Sequence, residues 1–149
     1  FKVLIPSPIF GPQASLLENA LATLEIPSWE LDSEEDIEFE LVRKNVYILT
    51  TNIAGLVIGG TVDDLWFKHE DLARQVANEV MDIQAWLVGH HLERERLIEG
   101  MVDGIKGDLQ HKCMGRSAPG RLARAIQFAD QAELNVPKLR EIHAQQGNA

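Results

Sequence analysis

Glu79, Asp82, His91 and Glu95 carry the side-chain types that hold divalent metals, and His91 and Glu95 stand one helical turn apart. His90 lies beside them, and Asp108, His111 and Cys113 follow as further potential ligands. With a bound metal, such a set would support a small metal-dependent hydrolase. The spacing nevertheless lacks His-Glu-x-x-His, a paired Cys-x-x-Cys and the Glu-x-x-His of helical di-iron bundles. The same residues also read as the wet side of a long helix, and no cofactor is identified by them.

A second oxygen-rich stretch covers residues 30–40, where seven of eleven positions are acidic. Asp32, Glu34, Asp36 and Glu38 alternate as calcium ligands do in a loop. The EF-hand pattern fails where it matters, because Ile37 stands at the turn position that needs glycine and Arg43 where the bidentate Glu belongs. An acidic strand face that repels edge pairing, or that meets a basic partner, is the simpler reading.

Cationic chemistry gathers at the other end. Residues 1–105 hold 19 Asp and Glu against 7 Lys and Arg, whereas residues 106–149 hold 7 Lys and Arg against 4 acids. Arg116, Arg121, Arg124, Lys138 and Arg140 can therefore meet an acidic partner, including the acidic face of another copy. The helix-turn-helix outline of this segment also suggests a nucleic-acid regulator, with Arg121, Arg124 and the preceding Arg116 on phosphates and Lys138, Arg140, Gln145 and Gln146 near bases. Against that stand Glu141 in the second helix and a net charge of −9, which opposes binding to DNA, RNA or an anionic membrane.

Nucleophile and nucleotide signals are weaker. Cys113 is alone, so no intrachain disulfide forms, and a reducing compartment such as the cytoplasm is expected. His111 is too near in sequence to face it on a helix, and a lone Cys is usually a small buried hydrophobe. Gly55-x-x-x-Gly59-Gly60 and Gly100-x-x-x-Gly104-x-Lys106-Gly107 match neither a dinucleotide fingerprint nor a P-loop, and no Gly-x-Ser-x-Gly elbow occurs.

The elements that must position these residues follow from periodicity. Residues 3–5 read as a short strand halted by Pro6 and Pro8. Leu16, Leu17, Ala20, Leu21 and Leu24 then share a helical face, with Ser15 and Glu18 as a capping box and Pro27 as the stop. Ile37, Phe39 and Leu41 alternate with acids, Arg43-Lys44-Asn45 supplies a turn, and residues 46–51 and 53–58 complete a three-stranded antiparallel meander closed by Gly59-Gly60. Thr61 with Asp64 opens a helix in which Leu72, Val76, Val80, Ile83 and Leu87 recur at helical spacing. Continued to about residue 98, it would extend ~50 Å. Gly89 marks a bend or a close packing point, Trp66, Phe67 and Trp86 are expected in the core, and the glycines at 100–107 are expected to break the helix.

Ser117 caps the next helix, with Pro119 in its first turn and Leu122, Ala125, Ile126 and Ala129 on its apolar side. Asn135 and Pro137 open a last helix carrying Leu139 and Ile142. The expected fold is α+β: one domain over 1–149, with a strand-rich part at 1–62, a long helix and glycine-rich break at 63–113, and a basic helical hairpin at 114–149. No run approaches the ~20 apolar residues that span a bilayer, so no membrane partner is expected. The function expected from this layout is a non-catalytic protein-interaction module, such as an adaptor, inhibitor, assembly factor or regulatory subunit, that self-associates as a homo-oligomer.

Overall fold

The computed structural model describes residues 5–147. Its elements run β1 (Ser7–Ile9), α1 (Ala14–Thr23), β2 (Ser28–Glu30), α2 (Glu34–Ile58), α3 (Val62–Lys68), α4 (Glu70–Val88), α5 (Arg94–Gly107), α6 (Ala118–Gln131) and α7 (Pro137–Gln146). The expected α+β architecture is overturned, since these helices dominate and the only sheet among the described residues is one parallel pair. In that pair Ser7 faces Ser28 and Ile9 faces Glu30. Of the strand expected at residues 3–5, Val3 and Leu4 lie outside the described residues, and Ile5 precedes β1.

The expected three-stranded meander is a single helix, α2. Ser33 starts it: its backbone is extended, and its hydroxyl accepts the Asp36 N–H at 3.1 Å. Glu34, Glu35 and Asp36 then put negative charge on the helix N-terminus, where the macrodipole favours it. The alternation of Ile37, Phe39 and Leu41 is a local pattern of two. Over the longer window Val42, Val46, Thr50, Ile53 and Ala54 are buried at spacings of four, four, three and one, which is the helical period. Packing on both sides therefore outweighs the β-propensity of the Val, Ile and Thr residues.

Asn52, which falls between two of the expected strands, sits mid-helix. Its amide donates to the Cys113 carbonyl at 3.3 Å and its carbonyl oxygen accepts from Arg121 at 2.8 Å. Gly59 and Gly60 end α2 with φ of 63° and 64°, conformations that L side chains rarely adopt. Gly55 serves a different purpose, because a Cβ there would lie 2.8 Å from Cβ of Cys113. That glycine lets the 113–114 segment press against α2.

The single long helix expected after Thr61 is three helices. His69, with φ −135°, separates α3 from α4, and Gly89 closes α4 in the left-handed conformation. The break expected at 100–107 is instead continuous helix within α5, with Gly100 and Gly104 turned toward α2. The helices expected at the C-terminal end are present as α6 and α7. Ser117 and Asn135, however, make no side-chain caps for them. Glu79 of α4 takes over at α7, its carboxylate accepting the Lys138 and Leu139 N–H groups at 2.8 Å each. One apolar cluster, drawn from α2 to α7 and the loops between them, contains Val46, Ile53, Met81, Leu97, Met101, Leu122 and Leu139. Among the described residues no helix is long and apolar enough to cross a membrane.

Candidate functional site

The metal candidates do not converge. Glu79 caps α7, Asp82 pairs with Arg94 at the start of α5, and His91 and Glu95 are exposed. Asp108 and His111 face each other at 3.8 Å on the surface, while Cys113 is buried. Among the described residues no three His, Cys, Asp or Glu side chains come close enough to hold a metal ion. The acidic run is divided likewise: Ser33 bonds Asp36, and Glu38 faces His90.

The His90 pair joins the start of α2 to the α4–α5 loop. The ring donates through Nδ1 to the His91 carbonyl at 3.0 Å, and Nε2 lies 2.6 Å from Oε1 of Glu38. Both neighbours favour the protonated ring, so its pKa is raised, first by the carbonyl and then by the carboxylate. For Cys113, burial pushes the thiol up to about 11, with further pressure from Asp64 and Asp63. A reactive cysteine needs the opposite shift.

The basic segment is reduced by local pairing. Lys138 reaches Glu141 at 2.5 Å, Arg140 reaches Asp130 at 2.6 Å, and Arg121 bonds Asn52. Arg116 and Arg124 are exposed and have no carboxylate within ion-pair distance among the described residues. Arg124 lies one turn before Phe128 on α6, which places both on one helical stripe.

That stripe leads to the feature sequence reading misjudged. Trp66 is half-buried under the Arg74 guanidinium, 5.1 Å from the ring centroid, but Phe67 and Trp86 are exposed rather than core. Trp86 remains 42% exposed while its ring sits 6.3 Å from that of Phe128, so α4 and α6 present an aromatic pair to solvent. Leu87 beside it is 46% exposed. The Asn45–Gln84 hydrogen bond, 3.0 Å, sets α2 against α4 so that Leu41, also exposed, falls at the same end of the bundle. The first two turns of α2 supply that end with Glu34, Glu35, Asp36 and Glu38.

Comparison with protein families, characterised proteins and solved structures finds no match for this chain. The functional reading therefore rests on the geometry above.

Proposed function

We propose that this chain is a non-catalytic protein-interaction module that self-associates through the α4–α6 face centred on Trp86. The observation that carries the reading is an indole held against Phe128 yet left open to water. Trp and Arg dominate the energetics of protein interfaces when a partner desolvates them. Arg124, unpaired and one turn from Phe128, borders the pair on one side. The acidic start of α2 borders the same end of the bundle on the other. A two-fold axis near Trp86 would lay Arg124 of each copy toward the acidic α2 start of its partner, so one patch serves both sides.

Sedimentation velocity over a concentration series tests this. The wild type should show a dimer that weakens with added salt, Trp86→Ala should be monomeric, and Arg124→Glu should dissociate more readily. A wild type that stays monomeric at roughly 100 µM, or a Trp86→Ala dimer as stable as the parent, would overturn the proposal. The nucleic-acid reading has less support, because two of its five cations are neutralised by Glu141 and Asp130 and a third is bound to Asn52. The hydrolase reading lacks convergent ligands among the described residues.

A further inference from the structure

A cavity of about 340 Å³ lies away from the Trp86 face, between the segment entering β1 and the α2–α5 pair. Its walls are mainly apolar: Ile5, Pro6 and Pro8 on one side, the Tyr47 ring and Ile48 on the other. Two glycines one helical turn apart open it. A Cβ at Gly100 would lie 2.5 Å from Cδ of Arg43, and one at Gly104 would lie 3.1 Å from the Tyr47 ring. Glycine inside a helix costs about 1 kcal/mol relative to alanine, so two of them in α5 are explained by the space they leave for Arg43 and Tyr47.

The polar groups in this apolar setting are few and unevenly charged. Arg43 and Lys44 contribute two cations and Glu40 one carboxylate. Arg43 gives Nε and Nη2 to Glu40, which leaves Nη1 without a partner among the described residues. Lys44 is exposed and unpaired among those residues, and the Tyr47 hydroxyl likewise has no hydrogen-bond partner there. Burial, and after it the Asp108 carboxylate, raise the Tyr47 pKa above its ordinary value, so the phenol, already protonated at neutral pH, remains so. The lining thus carries one uncompensated positive charge on a protein whose net charge is −9.

We propose that this cavity binds a small aryl- or alkyl-carboxylate, its apolar body between Pro8 and the Tyr47 ring and its single negative charge toward Lys44 and Nη1 of Arg43. The size suits a small organic molecule, and apolar walls with a few charged groups among them are the mix of a ligand site. One negative charge balances the lining, whereas a cation would meet Lys44 and a neutral head group would leave the charge unanswered.

The test is an amide NMR titration with 3-phenylpropanoate, run beside 3-phenylpropanol and 3-phenylpropylamine, which share its carbon skeleton. The carboxylate should give saturable shifts at Lys44, Tyr47, Gly100 and Gly104, with the alcohol roughly tenfold weaker and the amine silent. Lys44→Glu should weaken carboxylate binding about tenfold, since it replaces attraction by repulsion at the mouth. Gly104→Ala should also weaken it, by moving the Tyr47 ring, while the higher helix propensity of alanine offsets part of the packing it disturbs. If that variant disturbs the fold, Lys44→Glu, on an exposed side chain, carries the test. Equal binding of all three compounds, shifts centred on Trp86, or no saturation at roughly ten millimolar would overturn the proposal.

Discussion

Residues 5–33 and the helices that follow are held by different physics. In the bundle of α2 to α7 the core side chains, among them Val46, Ile53, Met81, Leu97 and Leu139, lie at zero exposure and touch one another. In the β1–α1–β2 unit only Ile9 and Ala14 are buried, while Leu16 and Leu24 of α1 are 66% and 68% exposed. The unit is held by strand pairing, by Leu31 N–H donating to the Ile9 carbonyl at 2.7 Å and by Ser15 donating to Glu30 at 2.7 Å. The contrast teaches that a leucine stripe specifies a helix without specifying a burial site. Helical spacing marks α1 as well as α4, α6 and α7, but only the bundle has enough neighbouring surface to cover most of its apolar faces.

The sharpest way to break this comparison is truncation in each region. Ile53→Ala should cost about 3 to 4 kcal/mol in urea unfolding, because a fully buried side chain leaves a cavity, whereas Leu16→Ala should stay within about 0.5 kcal/mol. Comparable losses would mean that α1 is covered in solution. A smaller effect sharpens the account of the bundle. Glu79→Ala removes the acceptor for two N–H groups of α7 and should cost about 1 kcal/mol, with amide exchange quickening first in α7.

The smallest effect concerns the clasp between Glu38 and His90. Its raised pKa means that the folded state binds the proton more tightly than the unfolded chain does. The contribution is therefore complete below the ordinary value of 6.5 and disappears as pH rises through the folded-state value. Unfolding of His90→Asn should differ from wild type slightly near pH 6 and not near pH 9. A difference that grows with pH would refute the assignment.

Legibility in the sequence varied with the range of the interaction involved. Helices α6 and α7 could be read because Pro119 and Pro137 sit in first turns and Leu122, Ala125, Leu139 and Ile142 keep the period. The region of α2 was misread because Ile37, Phe39 and Leu41 alternate locally while the deciding partners, on α4, α5 and α6, are remote in sequence. The same remoteness hid the cap of α7, supplied by Glu79 some sixty residues earlier. At the candidate site Arg124 was visible as a cation and Trp86 as an aromatic, but its exposure depends on where α6 stops covering α4. The spacing of Gly100 and Gly104 was equally visible, and only the fold shows that Arg43 and Tyr47 occupy the room they leave.

The most direct test of the central claim uses Trp86 as the sole tryptophan, after Trp29→Phe and Trp66→Phe, with emission and sedimentation mass followed together on dilution. Association through this face predicts blue-shifted emission at the mass of two chains, passing to red-shifted emission at the mass of one. A single-chain mass with red-shifted emission at every concentration, or a dimer whose Trp86 stays red-shifted, would contradict it.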